Sequence, residues 1–197
     1  MRIRFAAGMV TVGSVIMLVG CGSGMGAAPE PVRSNPAEAV SPIPLVKNPR
    51  DVAALARRPC ELLTSQQAAG FGLDLPPKQY DAALGDVGCK WTSTTRDRRI
   101  FRTVYISTFT NNPTLEVVYR RERGRPFFEF TEIAGYPAIV TRSNPGLPHC
   151  NVDVKPAELQ SVSVSYDSDT FNNDPQQACV VGKQVAAAAL MNLPPKR

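Results

Sequence analysis

The chain has 197 residues, of which 43% are apolar and 20% charged, and its formal net charge is +5. This length fits one domain with a tail, and the apolar content excludes a chain that is disordered throughout. The 18 prolines are about twice the average usage, so part of the chain is expected to be linker.

The first 20 residues have the organisation of a secretory signal peptide. Arg2 and Arg4 form a basic start, no acidic residue precedes Glu30, and residues 5–19 are an apolar run with interspersed glycines. This run is shorter than the ~20 residues that a membrane-spanning helix needs. The pattern therefore predicts a cleaved signal peptide over residues 1–20.

The segment Leu18-Val19-Gly20-Cys21 resembles the lipobox of bacterial lipoproteins, in which small residues precede an obligatory cysteine. The sulfur of Cys21 would take a diacylglyceryl group, and cleavage before Cys21 would free an amine for a further acyl chain such as palmitate. Buried acyl carbons contribute ~0.8 kcal/mol per CH2, so the segment predicts a lipid anchor on the extracytoplasmic face of the cell membrane. The alternative is an ordinary signal peptide with an incidental cysteine.

Residues 21–50 are predicted to be a flexible, lipid-anchored tether. They carry six prolines, and their large hydrophobic residues are few and show no period. Such a segment buries too little apolar area to offset its ordering entropy. We therefore expect a single folded domain over residues 51–197. Without residues 1–20 the net charge is +3, because 20 basic and 17 acidic side chains remain, which weakens a nucleic-acid-binding interpretation.

Three helices and up to six strands are predicted in this domain. Thr64 or Ser65 caps a short helix, Asn112-Pro113 starts a second, and Asp174 caps a long terminal helix ending near Leu193. Residues 73–86 have the composition of a loop. Period-two or β-branched patterns predict strands over 87–92, 100–109, 127–133, 137–142, 150–154 and 159–166. The expected fold is α+β, with an antiparallel sheet of about five to six strands packed against the long C-terminal helix and shorter helices.

Four cysteines remain when Cys21 is set aside, and an even number in an exported chain predicts two disulfides. Three connectivities are open. The separations from Cys60 to Cys89 and from Cys150 to Cys179 are both 29 residues, and each pair joins a predicted helix to a strand, which favours these two pairings. A zinc site is the alternative, but no CxxC pair occurs and His149 is the only histidine.

Several ordered segments resemble an actinobacterial lipoprotein family known as a domain of unknown function, DUF3558. The segments are Pro59-Cys60-Glu61-Leu62-Leu63-Thr64, Gly88-Cys89-Lys90-Trp91, Gly135-Tyr136-Pro137-Ala138, Cys150, and a closing helix that starts Asp174-Pro175, carries Cys179 and ends Asn192-Leu193-Pro194. The resemblance covers residues 59–193 and implies the location, the disulfides and the fold, but no activity. The chain departs from the family in placing Cys179 several residues inside the last helix.

No catalytic constellation is visible, and no cofactor or metal is predicted. The GxSxG, SxxK, GxxxxGK[ST] and HExxH spacings are all missing from the sequence. His149 stands beside Cys150, which cannot act as a nucleophile when it is disulfide-bonded. The acidic segment around Asp167, Asp169 and Asp174 lacks the turn glycine and the closing glutamate of an EF-hand calcium loop, so a solvated loop is favoured.

A basic region between residues 90 and 125 is the main candidate for a partner surface. It carries nine Lys or Arg against three acids. If its two arginine runs meet in the fold, they could face anionic lipid headgroups, phosphate-bearing wall polymers or an acidic protein. The alternative is two solvated ends of a loop and a helix. The predicted patch comprises Arg96, Arg98, Arg99, Arg102, Arg120, Arg121, Arg123 and Arg125.

Together these patterns predict a membrane-anchored extracytoplasmic lipoprotein that is not an enzyme. Its expected role is a binding or interaction module for an envelope protein, an anionic lipid or a glycan, with no nucleic-acid partner. A carboxylate-based envelope glycan hydrolase is one alternative, and it requires two carboxyl groups in one cleft, at least one with a raised pKa. A lipid carrier is another, and it requires an apolar cavity under the sheet.

Overall fold

The computed structural model describes residues 42–82, 87–94, 101–112 and 114–197. These residues form three α-helices and seven strands, together with 3-10 turns at Pro59–Leu62 and Asp169–Phe171. None of the helices in these ranges is both long and apolar enough to cross a membrane. The helices are α1 (Ser65–Gly70), α2 (Thr114–Glu122) and α3 (Gln177–Met191), and the strands are β1 (Lys78–Asp81), β2 (Val87–Thr94), β3 (Phe101–Phe109), β4 (Phe128–Ile133), β5 (Tyr136–Thr141), β6 (His149–Ala157) and β7 (Gln160–Ser168).

All seven strands belong to one antiparallel sheet with the order β1-β2-β3-β7-β6-β5-β4. The first three strands are neighbours in sequence order from one edge inward. Helix α2 then carries the chain to the opposite edge, from which β4 to β7 return to the centre beside β3. The predicted α+β class with an antiparallel sheet and a long C-terminal helix is confirmed, with one strand more than expected.

The additional strand is β1, which lies in the segment predicted as a loop over residues 73–86. It has four residues with no apolar alternation, so its extended form depends on pairing with β2 rather than on its own pattern. Tyr80 lies opposite Gly88, where a side chain on the glycine would fall 2.4 Å from the tyrosine ring. The Tyr80 hydroxyl also hydrogen-bonds Ser107 Oγ at 2.8 Å. Contacts with the neighbouring strands therefore stabilise β1 as an edge strand.

One face of the sheet packs against α3 and forms the main core. Alternate residues of the four central strands point to this face and are almost fully buried. Helix α3 comes close to the strands because Gly182 has no side chain, and a Cβ there would already lie 3.4 Å from Val152 Cγ2. Asp174 does not cap this helix as predicted, since Gln176 is at the N-cap position and its side chain makes no capping bond. The core residues contributed by the central strands are Cys89, Trp91, Val104, Ile106, Cys150, Val152, Val154, Val162, Val164 and Tyr166.

Both predicted disulfides are confirmed. Cys60 in the first 3-10 turn is bonded to Cys89 in β2, and Cys150 in β6 is bonded to Cys179 in α3. Each bond thus joins a helical segment to a strand on the α3 face. The predicted helix cap is also confirmed, because Thr64 and Gln67 form a reciprocal capping box at the start of α1.

The opposite face of the sheet is covered by α2 near β5 and β6. Leu115 and Val118 of α2, three residues apart on one face of the helix, are buried against Ile139 of β5 and Ile43. Lys155 of β6, only 5% exposed, bonds Glu116 of α2 at 2.8 Å and Glu158 at 2.7 Å. The apolar cluster and the buried lysine together seat α2 on the sheet.

Residues 42–50 pack against the domain although they fall within the range predicted as tether. Ile43 is buried, and the backbone oxygen of Asn48 accepts a hydrogen bond from the Tyr136 hydroxyl at 2.9 Å. Arg50 donates to the backbone oxygen of Leu193 at 3.0 Å. An extended segment can make such isolated contacts without any period in its sequence, so packing begins ahead of Asp51. The predicted signal peptide, Cys21 and the tether up to residue 41 lie outside the described residues.

Candidate functional site

A cleft of about 510 Å³ lies between the C-terminal part of α2 and the face of the sheet that α2 covers. We call it the α2 cleft. Strands β6 and β7 supply its floor, because their alternation turns polar side chains to this face while the valines between them enter the main core. The polar groups used below are Arg121, Glu122, Arg125, Asn151, Asp153 and Ser163.

The carboxyl group of Asp153, in the α2 cleft, has a raised pKa. It lies in β6, is 8% exposed, and accepts a hydrogen bond from the Ser163 side chain of β7. Burial raises the pKa of its carboxyl from 3.8 to about 6, and the nearby Glu122 adds to this effect. The Ser163 hydrogen bond and the Arg121 charge act in the opposite direction. Desolvation is the dominant cause of the raised pKa.

Glu122 brings a second carboxyl group into the same cleft. Its side chain is 10% exposed and is held by two guanidinium groups, Arg121 Nε at 2.5 Å and Arg125 Nε at 2.9 Å. The backbone folds back at the end of α2, where Arg125 N donates to the oxygen of Glu122. Both arginine side chains are more than half exposed. The arrangement places two carboxyl and two guanidinium groups around one polar opening.

Arg142 adds a further cation to the lining of the α2 cleft. Its guanidinium donates to the backbone oxygen of Pro145 and lies over the Phe127 ring. Its Nε is buried and has no hydrogen-bond partner within the part of the chain that the structure describes. A buried donor without an acceptor costs free energy, and a polar ligand in the cleft could offset that cost.

A second cavity, of about 410 Å³, opens where β6 begins and β7 ends. We call it the His149 cavity. His149 Nδ1 lies 2.6 Å from Asp167 Oδ1 of the adjacent strand. This hydrogen bond raises the pKa of His149, against an opposing effect of burial, and the Asn151 side chain also contributes. Across the described ranges, no three His, Cys, Asp or Glu side chains are grouped so that they could hold a metal ion.

The described arginines of the predicted basic patch do not form one surface. Arg102 lies on the α3 face of the sheet, where its guanidinium approaches Gly72. The arginines of α2 and its end, Arg120, Arg121, Arg123 and Arg125, lie on the opposite side of the sheet with α2. Arg96, Arg98 and Arg99 fall outside the described residues.

Sequence reasoning missed Asp153 and Glu122 as site residues. The alternation of Asn151, Asp153 and Lys155 with valines was present in the sequence, but it is typical of any half-exposed strand. Only the position of α2 over the β6 face converts those polar residues into the floor of a cleft.

The chain matches a model of a protein family. The comparison with curated proteins found no match, and the comparison with solved structures found none. The family model described as "Protein of unknown function (DUF3558)" matches residues 16–192, a range that contains the segments of the resemblance from Pro59 to Cys179. The chain therefore belongs to the DUF3558 family.

Proposed function

We propose that this protein is a lipid-anchored extracytoplasmic binding module of the cell envelope, and that the α2 cleft is its ligand site. The observation that carries the proposal is the convergence of two carboxyl groups, one of them buried with a raised pKa, three arginines and several amide and hydroxyl groups on one partly enclosed space. Ligand sites typically combine such a cavity with a few oriented polar groups and a perturbed pKa.

The carboxyl groups of the α2 cleft are already held by neighbouring side chains, which favours a binding role. Glu122 is fixed by two arginines, and Asp153 is held by Ser163. Side chains held in this way are preorganised to exchange hydrogen bonds with a ligand at little entropic cost. The α2 cleft contains both positively and negatively charged side chains, so the ligand is expected to be polar and to carry both hydrogen-bond donors and acceptors.

A carboxylate-based hydrolase is the second candidate, because two carboxyl groups share the cleft and one has a raised pKa. Glycoside hydrolysis uses such a pair, with the carboxyl of raised pKa as the acid. The hydrolase predicts new reducing ends when the protein is incubated with an oligosaccharide, and a complete loss of product in Asp153→Asn. The binding module predicts recovery of the intact oligosaccharide. No observation on the described residues favours the lipid carrier.

The ligand site can be tested by NMR on the full-length protein in detergent micelles. We expect at least one of three probes, methyl glucoside, glucose 6-phosphate or succinate, to shift the side-chain signals of Asn151, Arg121 and Arg125. Asp153→Asn should weaken that binding at least tenfold, because a buried hydrogen-bonding carboxylate is replaced by a neutral amide.

The matched control is Glu61→Gln, since Glu61 is an exposed carboxylate that pairs with Arg58 and does not line the α2 cleft. It should bind the probe as the native protein does. Shifts confined to other parts of the molecule, or an unchanged affinity in Asp153→Asn, would show that the α2 cleft is not the site.

The lipid anchor makes a separate prediction. Cys21→Ser removes the sulfur that takes the acyl group, so we expect the protein to move from the membrane fraction to the soluble extracytoplasmic fraction. Ser23→Ala, two residues away, should stay membrane-bound. Mass spectrometry of the N-terminal peptide of the native protein should find acylated Cys21, and an unmodified thiol there would contradict the anchor.

A further inference from the structure

The α2 cleft and the His149 cavity adjoin along one strand. His149, Asn151 and Asp153 are alternate residues of β6 and share the face turned toward α2. Asp153 lines the α2 cleft, His149 lines the second cavity, and Asn151 lines the cleft while it hydrogen-bonds His149. Ser143 lines both cavities. The two cavities are therefore neighbours along β6, and we call them together the trough.

The length of the trough indicates an extended ligand. A strand rises ~3.3 Å per residue, so the backbone from His149 to Asp153 spans about 13 Å. That distance exceeds the width of a single sugar ring or a small metabolite. A ligand that used Asp153 and His149 together would need several linked units.

The charges of the trough oppose a polyanionic ligand. Three arginines line the α2 cleft, and four carboxyl groups line the two cavities together. Asp167 and Asp169 are in the His149 cavity, where they would repel phosphate or carboxylate groups of an extended polyanion. The arginines are Arg121, Arg125 and Arg142, and the carboxyl groups are those of Glu122, Asp153, Asp167 and Asp169.

The other lining groups suit a chain of hydroxylated rings. Carboxylates, guanidinium groups, amides and hydroxyls supply acceptors and donors at intervals along β6 and β7. Phe109 of β3 lines the α2 cleft, and Leu147, 55% exposed, lines the His149 cavity. Each cavity thus offers at least one large apolar side chain, against which the less polar face of a sugar ring could pack.

We infer that the trough binds a neutral oligosaccharide along β6, with one sugar unit against Asp153 in the α2 cleft and a further unit against His149 and Asp167. This inference rests on the proposed function, because it extends the ligand site assigned there. It names the ligand class and adds His149 and Asp167 as a second subsite. The His149–Asp167 hydrogen bond fixes the imidazole for contact with a ring hydroxyl.

The experiment is calorimetric titration of the full-length protein in micelles with neutral glucose, mannose and N-acetylglucosamine oligomers of increasing length. For at least one series, we expect the affinity to rise tenfold or more from the monosaccharide to the tetrasaccharide. His149→Ala should reduce that ratio to less than threefold, whereas Asp153→Asn should weaken short and long oligomers by similar factors. Glu61→Gln should leave the ratio unchanged.

His149→Gln is the control for a folding defect, because glutamine can still hydrogen-bond Asp167. This variant should lower the ratio of tetrasaccharide to monosaccharide affinity less than His149→Ala does. The inference is overturned if affinity does not depend on length, if His149→Ala leaves the ratio unchanged, or if only anionic oligomers bind. In each of these cases a weakened affinity of Asp153→Asn for any probe would still support the α2 cleft as a ligand site. If no neutral sugar binds, the second subsite is overturned, and the glucose 6-phosphate and succinate titrations decide the proposed function.

Discussion

Replacing Cys150 and Cys179 together by alanine is expected to lower the free energy of unfolding by roughly 3.5 kcal/mol in the chain-entropy account of a loop of this length. The bond closes a 29-residue separation and fastens α3 to β6. Because small domains are stable by only about 5–15 kcal/mol, this loss is a large fraction of the total. Urea unfolding of the oxidised native protein and the variant measures it directly.

The second disulfide supplies a matched comparison. Cys60 and Cys89 are also separated by 29 residues, so the loop-closure entropy is the same for both bonds. Removing either pair should therefore cost the same within about 1 kcal/mol, and any larger difference would measure packing that one bond maintains in the folded state. A loss below 1 kcal/mol for both pairs would contradict a stabilising role for the disulfides. A domain that loses this much on reduction is suited to an oxidising compartment, as the proposed extracytoplasmic location requires.

The features predicted correctly from the sequence are those with local or strictly periodic signals. The alternating serines and valines of residues 160–166 mark a strand with one buried face, and β7 has that form. Thr64 followed by Gln67 is a local capping signal, and the equal spacing of the cysteines indicated the right pairing. Each of these signals is complete within a short stretch of chain or a simple count.

The features that were missed depend on contacts distant in sequence. Strand β1 is extended because Tyr80 lies over Gly88 and reaches Ser107, and nothing within residues 78–81 indicates this. Ile43 is buried because α2 and β5, both distant in sequence, provide its partners. Arg102 and the arginines of α2 belong to one basic segment of the sequence, yet the sheet lies between Arg102 and α2, so they do not share a surface.

The candidate site illustrates the same limit. Asp153 in isolation is a polar residue on the outward face of a strand, and such residues are usually solvated. Its burial arises because the α2 crossover lies over β6, held by Lys155 and its two glutamates. The raised pKa is therefore a property of the topology, and no motif in the sequence encodes it.

Asp153 should make the stability of this protein depend on pH in the direction opposite to that of a salt-bridged carboxylate. Its pKa is about 6 in the folded state against 3.8 in the ordinary state. Between these values the folded protein binds more protons than the unfolded chain, so the free energy of unfolding falls as the pH rises. A shift of this size corresponds to about 3 kcal/mol over the whole titration, and most of this falls between pH 4 and pH 7.

Asp153→Asn isolates this contribution, because asparagine keeps a hydrogen-bonding side chain but does not titrate. The groups that face Asp153 are Ser163 from β7 and Arg121 and Glu122 from α2, and all three remain in the variant. Relative to the native protein, the variant should become more stable by up to about 3 kcal/mol as the pH rises from 4 to 7.

His149 must be separated from this effect, because its raised pKa acts in the same direction. The hydrogen bond to Asp167 favours protonated His149 in the folded state, so its contribution is present below the unfolded pKa of 6.5 and is lost as the pH rises through the folded value. Urea unfolding of the native protein, Asp153→Asn and His149→Gln at half-unit intervals of pH distinguishes the two groups. The contribution of Asp153 to the free energy of unfolding changes from pH 4 upward, whereas that of His149 changes only above about pH 6. A constant difference in stability between the native protein and Asp153→Asn across this range would show that the carboxyl keeps its ordinary pKa and is hydrated within the α2 cleft.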